Sequence, residues 1–246
     1  MRFDDATILV TGAASGIGRA TATYLAAEGA AKLVLVDTDA DALGRMHLPC
    51  ALARHAGSVG DEAFWQAVDL SGLTGAVVNA GVAGAAPIAD LSFAEWRRIM
   101  GVNLDGAFLT LRAVLHAMRD GGAIVAVASA AGIKAEAGVA AYGASKAALL
   151  HLVRVAAKEA APRGIRVNAL APAGVETPVW DAVPMFADRA RAIGRDAAFA
   201  ELAAMATPLG RYAKADEVAA QIGWLLSDAA ALITGATLVA DGGYTL

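Results

Sequence analysis

Tyr142 and Lys146 stand four positions apart at the head of an apolar run, "AYGASKAALLHLVRVAAKEAAP". On a helix that spacing puts both side chains on one face. A free phenol titrates near ~10 and is a poor base at neutral pH. A unit charge ~4 Å away at an effective dielectric near ~20 is worth about 4 kcal/mol, roughly three pKa units at most. A neighbouring ammonium is therefore expected to bring the phenol into the range of a general acid/base. Such a pair also arises by chance on exposed helices, so the chemistry depends on what else the chain supplies.

A second reactive pattern lies near the start. "ILVTGAASGIGRATATYL" reads as strand, glycine-rich turn and helix, with Gly12, Gly16 and Gly18 at the turn. Missing side chains there let backbone N–H groups approach a pyrophosphate at the positive end of the helix. The spacing is G-x-x-x-G-x-G, which departs from the usual dinucleotide fingerprint. The next strand ends "KLVLVD", so Asp37 follows Gly18 by nineteen positions. A carboxylate at that point accepts hydrogen bonds from both ribose hydroxyls and repels a 2′-phosphate, which predicts NAD over NADP. Capping of the following helix falls more naturally to Thr38 or Asp39.

The elements that must hold these groups alternate along the chain. Strands are expected at Thr7 to Thr11, Lys32 to Val36, Ala51 to His55, Gly75 to Asn79, Ala123 to Ala128, Arg166 to Leu170 and Thr237 to Ala240. Helices are expected at Ile17 to Glu28, Asp39 to Met46, Asp61 to Val68, Phe93 to Met118 with a break near Gly101, Tyr142 to Ala161, and Asp216 to Leu226. Near-continuous apolar strands separated by helices predict an α/β fold, a Rossmann-type doubly wound parallel sheet of about seven strands with helices on both faces. One connection, residues 176–211, is far longer than an ordinary loop and carries three prolines, one tryptophan and two phenylalanines. It is expected to be a lid on a single domain spanning 1–246.

Composition narrows the partners. With 20 basic and 24 acidic residues the formal charge is −4, which offers no basic field for nucleic acid and no cationic face for a membrane. Cys50 is the one cysteine, so no intramolecular disulfide can form. "MRFDDATILV" has aspartates where a signal peptide would carry its apolar segment, and a cytoplasmic location is expected. His47, His55, His116 and His151 lack metal-ligand spacing. The partner expected is a small molecule.

Together, TGAASGIG, Asp37, "NAG" at Asn79 to Gly81, Asn103 in "GVNLDGAF", Ser129 in "VASAAG", "YGASK" and "VNALAPAGVETP" resemble the short-chain dehydrogenase/reductase family, in its compact single-domain branch. The resemblance runs over essentially the whole chain. It implies an NAD-dependent oxidoreductase that transfers a hydride between a secondary alcohol and its ketone, with Tyr142 as acid/base. Lys146 would lower the phenol's pKa and hold the nicotinamide ribose. Ser129 would orient the substrate oxygen, and Asn103 would support a proton-relay water. By the same resemblance Gly12, Ser15, Gly16, Ile17, Gly18, Asn79, Ala80, Gly81, Pro172, Val175 and Thr177 join Asp37 in holding the dinucleotide.

Four positions depart from the family pattern: Ser58 for an acidic residue, Val78 for an asparagine, Ala173 for a glycine and Ala128 for a serine. Substrate contacts are expected from Ser129, Ile133, Val139, Tyr142, Val179 and Trp180, joined by Val82, Met185 and Phe186, a largely apolar set that suits a hydrophobic cyclic or aromatic alcohol. Lys134 and Glu136 are candidates for the rim. Arg189, Arg191 and Arg195 could attract an anionic substrate, although a solvated helix face accounts for them more cheaply. The helix from Tyr142 is apolar around most of its girth, which predicts a partner helix, and the resemblance implies a homotetramer. Two other activities remain open: a 3-ketoacyl-carrier-protein reductase, which Asp37 disfavours, and a non-catalytic dinucleotide-binding sensor.

Overall fold

The computed structural model describes residues 3–246. Its elements follow in the order β1 (Thr7–Thr11), α1 (Gly16–Ala27), β2 (Lys32–Asp37), α2 (Ala40–Gly44), β3 (Ala51–Ala56), α3 (Glu62–Ala67), β4 (Gly75–Val78), α4 (Phe93–Met100), α5 (Gly106–Ala117), β5 (Ala123–Val127), α6 (Ala140–Ala160), β6 (Arg166–Pro172), α7 (Pro184–Ile193), α8 (Arg195–Ala206), α9 (Ala215–Leu226) and β7 (Thr237–Ala240). The seven strands form one sheet in the order β3-β2-β1-β4-β5-β6-β7, and every neighbouring pair is parallel. This is the expected doubly wound sheet.

Alternation along each strand divides the core between two faces. Leu9, Val34, Ala76 and Ile124 pack with Trp65, Leu111, Val114, Leu149 and Val153 from α3, α5 and α6. Their sequence neighbours Ile8, Val10, Leu33, Val77 and Val125 point the other way, against Leu25 of α1 and Val218, Ile222 and Leu225 of α9. Strands covered on both sides must be apolar at every position, which is why they read as runs and not as alternating patterns.

The chain builds β1, β2 and β3 outward in one direction and then returns to lay β4 on the other side of β1. The carboxyl ends of β1 and β4 therefore diverge into loops that leave a crevice between them, where doubly wound folds bind ligands. The expected break near Gly101 is a π-helical turn, Gly101–Asp105, that joins α4 to α5. A π turn inserts one residue into the helical ladder, and it sets Asn103 fully inside.

The long connection is not loop alone. A 3-10 turn at Pro178–Ala182 leads into α7 and α8, which contact each other above the sheet's carboxyl edge. Helical periodicity over 184–206 was hidden by its alanine content, since alanine on both faces leaves α8 with little amphipathic contrast.

Candidate functional site

The turn after β1 is open by construction. Gly12 sits at φ 65° and a side chain there would come within 2.8 Å of the Asn79 amide and 3.0 Å of the Ala80 backbone. A Cβ on Gly16, at φ 50°, would crowd Thr177 at 3.3 Å. Gly18 serves packing: its Cβ would lie 2.0 Å from the Gly12 carbonyl, so only glycine lets α1 seat against the turn. Gly18 itself lies beneath the crevice, whereas Gly12, Ser15, Gly16 and Ile17 line it. The amino ends of α2, α3 and α4 are closed by Asp39, Asp61 and Ser92, whose side chains accept backbone N–H bonds. At α1, Ser15 makes no such bond and no acidic residue occupies the first turn. Its first N–H groups and the positive end of its dipole remain open to an anion.

Asp37 ends β2 beside this turn. One carboxylate oxygen accepts from Ala14 N at 2.9 Å and the other from Asp39 N at 3.1 Å. Those bonds fix the carboxylate, and a carboxylate offers about four acceptor sites, leaving lone pairs for two hydroxyls. Helix capping goes to Asp39, which accepts from Ala42 N at 2.8 Å. Asp37 is the sole acidic and Lys146 the sole basic side chain among the described residues that line the cavity. Ser58 also lines it.

Across the crevice, Asn79 donates to the carbonyls of Thr11 at 2.9 Å and Gly12 at 3.3 Å, tying the end of β4 to the glycine turn. Asn79, Ala80 and Gly81 all face the cavity. Asn103 is committed: its oxygen accepts from Val82 N at 2.8 Å, and its amide donates to Val82 O at 3.0 Å and to Ser145 Oγ at 3.1 Å. It braces the loop after β4 against α6. A Cβ on Gly81 would sit 3.3 Å from Asn103 Oδ1 and 3.4 Å from Lys146 Nζ, so this glycine keeps the lysine's surroundings clear. On the far wall, Thr177 donates to Val175 O at 3.3 Å, and Pro172, Val175 and Thr177 line the same cavity.

Ser129 follows β5 and opens a short 3-10 turn by accepting from Ala131 N at 3.2 Å. It also hydrogen-bonds the Tyr142 phenol. Lys146, one turn along α6, is 4% exposed and donates from Nζ to Val127 O at 2.9 Å, with Nζ 5.8 Å from the Tyr142 ring centroid. Burial pushes Lys146 down to about 8. Tyr142 departs from the expectation: burial pushes the phenol up, and the pull downward comes from Ser129. Lys146 keeps its ammonium at the Val127 carbonyl. In this state Tyr142 is poised as a proton donor.

The glycine turn, Asp37, Asn79 to Gly81, Ser129, Tyr142, Lys146 and the start of the lid all border one cavity of about 760 Å³. Val82, Val139, Val179, Trp180 and Met185 line it as expected. Ile133 does not. The 3-10 turn ends there, with Ile133 N bonded to Ala130 O at 2.9 Å, and its side chain is 48% exposed outside the cavity. Phe186 is another correction: it is fully buried in a cluster with Trp180, Phe199 and Tyr212, as the lid's own core. The lid arginines are paired, Arg189 with Glu201 and Arg191 with Asp188, while Arg195 pairs with Asp181 and stacks on Phe186 and Phe199. None of the three lines the cavity. The girth argument also weakens, since Leu149, Leu150 and Val153 are buried within the chain's own core and Val155 alone of the five is exposed.

Two aromatic lining residues escaped the sequence reading, Tyr212 and Tyr244. Tyr244 was concealed in the final "DGGYTL", where Gly242 and Gly243 take φ values of 62° and 89° and turn the chain back over the cavity. Tyr212 had a signal: a Cβ on Gly174 would lie 2.3 Å from its ring, so the glycine displaced by one position in "PAG" makes room for it.

Among the described residues no group of histidine, cysteine or carboxylate side chains could hold a metal ion, and no helix is long and apolar enough to cross a membrane. The glycine cradle, the uncapped helix and the fixed carboxylate fit a nicotinamide dinucleotide.

Residues 12–245 match the family model described as enoyl-(acyl carrier protein) reductase. The chain is 37% identical over 264 residues to cis-4-hydroxycyclohexanecarboxylate dehydrogenase of Sinomonas cyclohexanicum, covering 99% of this chain and 98% of that one. It is 38% identical over 264 residues to D-threitol dehydrogenase of Mycolicibacterium smegmatis, covering 100% and 95%. Among solved structures, levodione reductase superposes with a TM-score of 0.88 at 34% identity over 99% of both chains. A parallel sheet in this order, a cavity bordered by serine, tyrosine and lysine, and relatives matched end to end agree: the chain is an oxidoreductase acting on CH–OH groups and belongs to the short-chain dehydrogenase/reductase family.

Proposed function

We propose that the protein is an NAD-dependent dehydrogenase of secondary alcohols, with Tyr142 as the proton-transferring residue. The observation that carries this reading is the convergence of Ser129, Tyr142 and Lys146 on a cavity continuous with the Gly12 turn and Asp37. Ser129 hydrogen-bonds the phenol and holds the carbinol oxygen beside it. In oxidation the Tyr142 oxygen takes the hydroxyl proton as the carbonyl forms; in reduction it gives that proton back. The Gly12 turn, Asp37 and Lys146 would hold a nicotinamide dinucleotide, which would supply the hydride acceptor for oxidation and the hydride donor for reduction. Lys146, protonated below about 8, supplies the positive charge that favours the phenolate, and Asn103 keeps the adjoining loop and α6 in register for it.

NAD is preferred over NADP because Asp37 presents a fixed negative charge where a 2′-phosphate would lie, and no cavity side chain there is basic. The substrate is a ring or chain alcohol whose carbon skeleton meets Val139, Val179, Trp180 and Met185. Relatives named for a hydroxycyclohexane acid and for threitol support an oxygen-bearing small molecule over a carrier-linked acyl chain. The exposed Phe108 of α5 and Val155 of α6 support self-association through that face.

Steady-state kinetics on Asp37→Asn with cyclohexanol test the cofactor assignment. A hydrogen bond to a charged group contributes about 1.5–3 kcal/mol, so kcat/KM for NAD falls about ten- to hundredfold and the preference over NADP shrinks. An unchanged NAD/NADP ratio contradicts the ribose role.

A further inference from the structure

The lid and the C-terminal segment bring two phenols to the wall of the cavity, and neither belongs to the proton-transfer set. Tyr212 is 8% exposed and lines the cavity, so what exposure it keeps is toward that space. Its ring stacks on Trp180 with centroids 5.4 Å apart and meets Phe199 edge-on at 6.3 Å. Trp180 is itself fixed, donating from its indole to Val175 O at 2.9 Å. On the remaining side the ring lies against Gly174, where any side chain would collide at 2.3 Å. Tyr212 is thus held by aromatic packing alone, and among the described residues its hydroxyl has no hydrogen-bond partner within the chain. Tyr212 lines the cavity, so its hydroxyl is available to a group bound there.

Tyr244 is held differently. Its carbonyl accepts from Lys134 Nζ at 2.9 Å, the same ammonium lies 4.4 Å from its ring centroid, and its hydroxyl is bonded to Glu136. Donation to that carboxylate leaves the Tyr244 oxygen as an acceptor. Tyr212 and Tyr244 both line the one cavity. Glu136 and Lys134 lie 3.9 Å apart and offset each other, so the nearby charge selects neither sign strongly. What the two phenols present is one free donor–acceptor hydroxyl and one acceptor oxygen, the complement of a neutral alcohol.

We infer that Tyr212 and Tyr244 form a polar subsite for a second hydroxyl of the substrate, away from the carbinol carbon that reacts, so that the enzyme selects diols over simple alcohols. This rests on the secondary-alcohol reading and adds a polar contact to the largely apolar set expected for the substrate. Gly174 is the enabling residue, because its bare backbone admits the Tyr212 ring.

The test compares cyclohexanol with the 1,2-, 1,3- and 1,4-cyclohexanediols, oxidised with NAD by the wild type and by Tyr212→Phe and Tyr244→Phe. The quantity read is the ratio of kcat/KM for diol to that for cyclohexanol. For at least one isomer the wild-type ratio exceeds one, and Tyr212→Phe lowers it about tenfold through KM, the equivalent of one hydrogen bond. Tyr244→Phe, which keeps the ring over Lys134, lowers the same ratio less. A purely structural role for Tyr212 changes both alcohols in proportion, and a ratio that stays constant in both variants overturns the subsite while leaving the dehydrogenase reading intact. Should the wild type oxidise neither class of alcohol, both fall together. If Tyr212→Phe does not fold, the ratio in Tyr244→Phe decides.

Discussion

At the end of the cleft beside β1, the wall is backbone. Gly12 and Gly16 at positive φ, the open N–H groups of α1 and the loop at Asn79 to Gly81 shape it, and Asp37 is pinned by two backbone bonds. At the end beneath α7 and α8, the wall is side chains. Trp180, Phe186, Phe199 and Tyr212 pack into a small core of their own, set apart from the two cores that flank the sheet. Backbone held by a seven-stranded sheet cannot shift without breaking the sheet, so the first end suits a ligand common to many enzymes. A detached aromatic cluster can be repacked without disturbing the sheet, so the second end suits a substrate that varies. The residues proposed for proton transfer sit at the join, just after β5 and on α6, where both ends are fixed.

That contrast can be broken or sharpened. The largest effect is expected at the join: Tyr142→Phe removes general acid/base catalysis and lowers kcat by about 10² to 10⁴, with NAD affinity retained in a fluorescence titration. A pair of variants then separates the ends. Phe186→Ala empties a fully buried site and costs the lid about 3–5 kcal/mol, read as faster hydrogen exchange in α7 and α8 and a higher KM for alcohol, with NAD binding unaffected. Gly12→Ala does the converse. A left-handed alanine costs roughly 1–2 kcal/mol before any clash with Asn79, so the Kd for NAD rises about tenfold or more while lid exchange stays as it was.

A last effect is a pH dependence of stability. Lys146 is depressed from 10.5 to about 8, so between those values the unfolded chain binds more protons than the folded one. Relative to Lys146→Met, the wild type is least stable below about 8, where the buried ammonium is charged. Its urea-denaturation stability climbs by on the order of 3 kcal/mol as the pH rises to 10.5 and is level beyond that.

The same contrast explains what the sequence could reveal. Backbone-built features leave marks in composition: glycines at a turn, an apolar strand ending in Asp37, a tyrosine and lysine one helical turn apart. All seven strands stand within one or two residues of their expected limits, and Gly12, Asp37, Ser129, Tyr142 and Lys146 meet in one cavity. Features made of packed side chains leave weaker marks. Phe186 looks from sequence like any lid aromatic, and only its packing against Phe199 at 4.4 Å assigns it to the lid core. Ile133 was misjudged because a 3-10 turn rotates it away from neighbours that do face the cavity. Tyr212 depends on Gly174, thirty-eight positions earlier, a pairing across the fold that no local pattern encodes. The charge on Lys146 was legible, but the direction of the Tyr142 shift was not, because it depends on how deeply the fold buries the phenol.

The account's central claim is direct transfer from a carbinol carbon to the nicotinamide, with Tyr142 handling the proton. Incubating the enzyme with NAD and cyclohexanol deuterated at the carbinol carbon, and analysing the NADH by mass spectrometry, tests it directly. One deuterium per NADH is predicted for the wild type, with the yield over the same time reduced by two to four orders of magnitude (about 10² to 10⁴) in Tyr142→Phe. NADH that lacks deuterium, or that forms at an undiminished rate without the phenol, contradicts the account.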